Sequence, residues 1–227
     1  MRKVFIVSIL SFLFLTIASI VTYILKFIVF KNAWIPLIIG VAILSASGVL
    51  AIFGKRKLWI NIVCFTVSGI ALGFCIRSWY AFRKFDNGLG VLTLVSLCCV
   101  LYLWIVFALS RLKFARNHPT LFVIIVTLLS LTAYVLLVVF TKTTYVSTFG
   151  YYMIIEIAFL FAMFSSTDDE FELFRKVTLS TYSVFVVAII IVIMLLSGEG
   201  GDVDFDLSGI DLDFNIGSSN GKKTKKK

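Results

Sequence analysis

One ionisable side chain stands near the middle of a long apolar segment in this 227-residue chain: Glu156, twelfth of the twenty residues in 145–164. A charged acidic group at mid-bilayer costs ~2.5–3.5 kcal/mol on insertion scales, so it must face protein or water rather than lipid. On a helix, Tyr152 falls at i−4 and Tyr145 three turns back on the same face, with Thr148 close to it. Tyrosine hydroxyls can bond a carboxyl group in either protonation state. Three roles fit these residues. Glu156 can be a proton- or cation-binding group in a pathway, it can pair with Arg77 of another segment, or it can be a neutral, hydrogen-bonded acid that locks helices together. Proton relays usually use chains of Asp, Glu and His, and here no second buried acid accompanies the first, which favours the structural role. Arg77 lies in the last turns of its own segment beside Trp79 and Tyr80, where its long stem can also snorkel to the headgroups.

A second group of carboxylates lies in the C-terminal tail. Asp202, Asp204, Asp206, Asp211 and Asp213 alternate with Val203, Phe205, Leu207, Ile210, Leu212 and Phe214 around Ser208-Gly209. Strict alternation on both sides of a two-residue turn is the strand and hairpin signature. That register sets Asp204 opposite Asp213 and Asp206 opposite Asp211, and like charges directly opposite destabilise a lone pair of strands that is marginal in any case. The tail therefore needs a cation, a basic partner or a surface for its apolar face, or it is disordered. Ca²⁺ takes oxygen ligands of this kind, but no EF-hand spacing is present. Beyond the alternation, Lys222, Lys223, Lys225, Lys226 and Lys227 suit an anionic lipid surface at ~1 kcal/mol per lysine.

Other chemistry is thin. Cys64, Cys75, Cys98 and Cys99 all fall in apolar segments without a CxxC pair and read as packing residues. The single histidine, His118, sits in Asn117-His118-Pro119 at a helix start, which excludes a His-cluster metal site. There is no HExxH, P-loop or Gly-x-Ser-x-Gly motif, and no cofactor is expected. Gly69 and Gly73 form a GxxxG match, which opens a flat groove for a neighbouring helix.

The elements that position these residues follow from composition. The chain is 60% hydrophobic and 15% charged, with 23 phenylalanines, where a soluble domain carries roughly a quarter charged residues. Apolar segments run over about 4–25, 34–53, 58–80, 89–110, 120–140, 145–164 and 177–196. Each is near the ~20 residues that cross a bilayer as a helix. The first is too long for a signal peptide and lacks its cleavage site. Both prolines, Pro36 and Pro119, lie at segment starts, where a missing N–H is harmless.

Lys and Arg cluster between segments. With the N-terminus in the cytoplasm, Arg2, Lys3, Lys55, Arg56, Lys57, Arg111, Lys113, Arg116, Arg175 and Lys176 fall inside, against Lys26, Lys31, Arg77, Arg83, Lys84 and Lys142 outside. Ten against six favours that orientation. Positive charge held in short loops offers no soluble basic face, so nucleic acid is not an expected partner. Segment 7 has no internal lysine for a retinal Schiff base, and neither DRY nor NPxxY occurs.

The expected fold is an all-α integral membrane protein. Residues 1–196 form a bundle of seven transmembrane helices, and 197–227 form a tail that is a β-hairpin or disordered. The expected function is a non-enzymatic multi-pass protein of the cell membrane, a subunit or partner-binding component of a membrane assembly, with a membrane protein or a second copy as partner. A small proton- or cation-coupled transporter or channel using Glu156, with Tyr152 and Arg77 nearby, is the alternative.

Overall fold

Long apolar runs become helices in hydrocarbon because a helix is the one single-segment form that satisfies its own backbone. The computed structural model of the chain describes residues 2–28, 30, 32–53, 57–84, 89–141, 144–164 and 169–197. Among them there is no strand. In chain order the helices are α1 (Arg2–Ile24), continued by a 3-10 turn (Leu25–Phe27), α2 (Trp34–Phe53), α3 (Leu58–Phe82), α4 (Leu89–Leu109), the short α5 (Lys113–Asn117), α6 (Pro119–Thr141), α7 (Thr144–Met163), α8 (Glu170–Ser180) and α9 (Val184–Leu196). A 3-10 turn (Thr181–Ser183) joins the last two. The tail's acidic alternation and its lysines lie outside the described residues.

The last apolar segment starts earlier than its hydropathy suggests. Asp168 to Glu172 reads as a loop in the sequence, with the span starting at Val177. In the structure Asp169 caps α8, its carboxylate accepting from the backbone N–H of Phe171 and Glu172 at 3.3 Å each. Glu170 and Glu172 then occupy the first turn, where the helix dipole favours negative charge. Arg175 closes an ion pair with Glu172 at 2.7 Å one turn on. Capping and charge thus add two polar turns below the apolar part.

Inter-helix contacts fix the directions. Gly69 of α3 sits beside Phe14 and Ile17 of α1, and Gly73 beside Ala18 and Val21, so α1 and α3 run parallel. The carbonyls of Ala33 and Ser47 accept from Ser78 and Cys64, so α2 runs antiparallel to α3. Ser19 meets Tyr152 and Ser11 meets Glu156, so α7 runs antiparallel to α1. The Phe14 ring meets Phe65 of α3 at 5.4 Å and Phe159 of α7 at 5.8 Å, both edge-on, which ties three helices at one level.

Among the described residues five helices are long and apolar enough to cross a membrane: α1 with its 3-10 turn, α2, α3, α4 and the rod formed by α8 and α9. In α6 and α7 the apolar stretches, Leu121–Ala133 and Thr148–Met163, are shorter. The outward faces carry Ile52, Leu101, Ile105, Leu128, Leu129 and Ile193, each more than half exposed. Contiguous apolar surface of this extent is incompatible with water and natural against acyl chains. The chain is a multi-pass helical membrane protein.

Candidate functional site

The interior between α1, α3, α4 and α7 is not uniformly apolar. Ser8, Ser11, Ser19 and Thr22 of α1 are all buried, and their spacing of three, eight and three residues puts them on one stripe of the helix. Ser96 of α4, Thr148 and Glu156 of α7 and the hydroxyl-bearing rings of Tyr80 and Tyr152 are buried against the same seam.

Glu156 is fully buried. The Ser11 hydroxyl donates a hydrogen bond to its Oε1. Its Oε2 is buried too, and among the described residues it has no hydrogen-bond partner. A buried polar atom without a partner is costly in a low-dielectric interior, and more so in hydrocarbon. Cys99 and Tyr102 of α4 lie within electrostatic range of the carboxyl. Among the described residues no charged side chain pairs with it.

Most of the other hydroxyls of the seam bond one another, and Ser8 Oγ has no hydrogen-bond partner among the described residues. Tyr152 and Ser19 are 2.9 Å apart, Ser19 and Ser96 3.4 Å, and Tyr80 and Thr148 2.6 Å. Thr22 bonds the carbonyls of Ala18 and Gly73. Tyr152 therefore shares the Glu156 seam but does not bond the carboxyl. Side chains on a helix lean toward its N-terminus, and that lean carries the Tyr152 hydroxyl away from Glu156 and onto Ser19.

Arg77 is not brought to Glu156 either. It lies one turn past Gly73, level with the end of α1, whereas the carboxyl is level with Ser11. At 1.5 Å per residue the two sit on the order of 16 Å apart along the bundle. Gly69 and Gly73 face α1 at close range: a Cβ on Gly73 would stand 2.7 Å from Val21 and one on Gly69 3.1 Å from Ile17. Cys98 is exposed while Cys64, Cys75 and Cys99 are buried, and all four are free thiols. Among the described residues no group of three metal-ligating side chains occurs.

A cavity of about 450 Å³ opens at the end of the bundle where α1 starts. Arg2, Lys3, Ser110 and Glu170 supply its polar wall, and Val4, Phe107, Met163, Phe164 and Leu173 much of its apolar wall. Arg2 and Glu170 form an ion pair at 2.5 Å there, tying the start of α1 to the start of α8.

Ser8, Ser11 and Ser19 are not among the residues that a search for ionisable groups selects. The signal was their shared stripe in an otherwise apolar helix. The chain matches no protein-family model, and neither the curated proteins nor the solved structures contain one similar to it.

Proposed function

We propose that the protein is a seven-span, non-enzymatic membrane protein whose working group is Glu156, a proton- or cation-binding carboxyl of a small transporter or channel. One observation carries this reading: the carboxyl is fully buried, half of it is held by Ser11, and the other half has no hydrogen-bond partner among the described residues. A helix-locking acid is most stabilising when both oxygens are satisfied, because a half-satisfied buried network is worse than an apolar one. An oxygen left open is what a group that takes up and releases a proton or a small cation needs. Counting α6 and α7 as spans supports an N-terminus and a C-terminus on opposite sides, and the excess of Lys and Arg on the side of Arg2 supports a cytoplasmic N-terminus in the cell membrane.

The test is flux. Protein reconstituted in liposomes carries protons or monovalent cations down an imposed gradient, and Glu156→Gln lowers that flux by about tenfold or more, the scale of losing a positioned proton-transfer group. A parent protein without flux, or a variant with unchanged flux, overturns the reading.

A second reading rests on the alternating acids Asp202 to Asp213 and the terminal lysines: the chain is also a partner-binding component of a membrane assembly. Affinity purification with and without residues 197–227 tests it, and the same co-purifying proteins in both would sink it.

A further inference from the structure

We propose that Glu156 exchanges its proton with the aqueous phase at the end of the bundle that carries Arg2 and Glu170, by way of the cavity there and past Ser8, and that the Arg2–Glu170 ion pair holds this route shut. The inference rests on the reading of Glu156 as a proton-binding group and adds the side of access, the relay residue and the latch.

Two helices place the cavity and the carboxyl on one line. On α1, Val4 lines the cavity, Ser8 follows at i+4, and Ser11, which holds Glu156, at i+7. These three positions share a face, and they descend about 10 Å from the cavity wall to the carboxyl. On α7, Met163 lines the cavity and Glu156 lies seven residues earlier, two turns or again about 10 Å. Both helices thus give the same depth.

Two polar atoms along this line are left open. Ser8 Oγ and Glu156 Oε2 are both buried, and neither has a hydrogen-bond partner among the described residues. Toward the opposite end the hydroxyls of Tyr152, Ser19, Ser96, Tyr80 and Thr148 are bonded to one another, and the large rings of Trp79, Tyr80 and Tyr151 are packed there. The unfilled hydrogen-bonding positions give entering water something to bond on the cavity side, whereas paired hydroxyls and packed rings give it little on the other, so the cavity side is the side of access. The titratable groups around the carboxyl are Cys99 and Tyr102 of α4 and Tyr152 of its own helix.

The step itself is a proton transfer. Ser8 Oγ and Glu156 Oε2 are not bonded to each other, so a water entering from the cavity bridges them. The O–H bond at Oε2 breaks, the bridging water takes that proton and gives one of its own to the Ser8 hydroxyl, and Ser8 passes its proton to the next water, so the carboxylate stays with Ser11 and one proton leaves. Water reaches Ser8 when the ends of α1 and α8 part, and the Arg2–Glu170 bridge joins those two ends.

Infrared spectroscopy of the full chain in lipid bilayers tests this. At a pH acid enough to load the carboxyl, its C=O band is assigned by its loss in Glu156→Gln. The rate of its shift on changing H₂O for D₂O then reads access. Ser8→Val is expected to slow the exchange about tenfold or more. Glu170→Gln, at the exposed end of α8, is expected to speed it two- to fivefold, the scale of an opening held by one exposed ion pair. Ser19→Val, on the far side of the carboxyl, is expected not to slow it. If no carboxyl band is lost in Glu156→Gln, the proton-binding reading itself fails. If the band belongs to Glu156 but Glu170→Gln and Ser8→Val exchange at the parental rate, or Ser19→Val is the slow one, the reading stands and the route is overturned.

Discussion

The hydroxyl of Ser11 on α1 donates to Glu156 Oε1 on α7, joining residues 145 positions apart in the chain, while the second oxygen of the same carboxyl is buried without a hydrogen-bond partner among the described residues. Among the described residues the pair is the one polar link between α1 and α7 at this level, and the carboxyl depends on it. Ser11→Ala leaves both oxygens open and is expected to destabilise the fold by about 1–3 kcal/mol, the cost of an unsatisfied buried group. A double-mutant cycle with Glu156→Leu, which removes the acceptor, is expected to give a coupling of about 0.6–1.7 kcal/mol, the range for hydrogen bonds between membrane helices. Thermal unfolding in detergent micelles of the four proteins measures it, and additive effects would remove the bond from the account.

The two glycines of α3 make an ordered prediction. A methyl on Gly73 meets Val21 at 2.7 Å and the Ala18 carbonyl oxygen at 2.9 Å, whereas one on Gly69 meets Ile17 at 3.1 Å. Real Cβ atoms do not approach to 2.7 Å, so α1 and α3 must part in Gly73→Ala. The expected cost is about 1–3 kcal/mol, as for other overpacked cores, and Gly69→Ala is expected to cost less. Val21→Ala added to Gly73→Ala is expected to recover part of the loss. Equal melting temperatures for the two single variants would contradict the packing at Gly73.

Much of this fold was legible because apolar runs in a bilayer have few options. The second span reads 34–53 in the sequence and is Trp34–Phe53 in the structure, since Trp34 and Pro36 mark its start and a lysine follows its end. The last span was not legible at its start, because a cap and two acids lengthen a helix that hydropathy sees only from Val177. Glu156 stood out as one carboxyl in an apolar run. Its partner did not, because hydroxyls in membrane helices usually bond their own carbonyl four residues back, as Ser68 bonds the Cys64 carbonyl. Which hydroxyl turns to a neighbour depends on the rotation of α1, and no local pattern encodes that. The pairing of Arg77 with Glu156 was chemically sound and failed on depth, which the parallel course of α1 and α3 decides.

The cap of α8 is open to a simple test, because Asp169 is exposed and lies outside the apolar part of its rod. Asp169→Ala removes two hydrogen bonds that its carboxylate accepts from backbone N–H groups and is expected to cost about 1 kcal/mol, while Asp169→Ser keeps most of the cap. Hydrogen exchange at the amides of Phe171 and Glu172 reports the change locally. Faster exchange in Asp169→Ala, restored in Asp169→Ser, is the expected result. No change in either variant would mean that the first turn of α8 is held by the Arg2–Glu170 and Arg175–Glu172 ion pairs instead.

Tyr152 and Ser19 share a bond of 2.9 Å, and the two ways of breaking it are not equivalent. Tyr152→Phe removes the donor and acceptor together with the bond and leaves Ser19 in contact with Ser96 at 3.4 Å. The expected loss is about 0.5–1.5 kcal/mol. Ser19→Ala leaves a phenol hydroxyl buried at the centre of the bundle with its partner gone, and the expected loss rises to about 1–3 kcal/mol. In the double variant the orphan disappears with its ring hydroxyl, so Ser19→Ala with Tyr152→Phe is expected to melt higher than Ser19→Ala alone. That inversion, a second deletion that stabilises, separates a buried polar pair from simple loss of packing, which would make the double variant the weakest of the three.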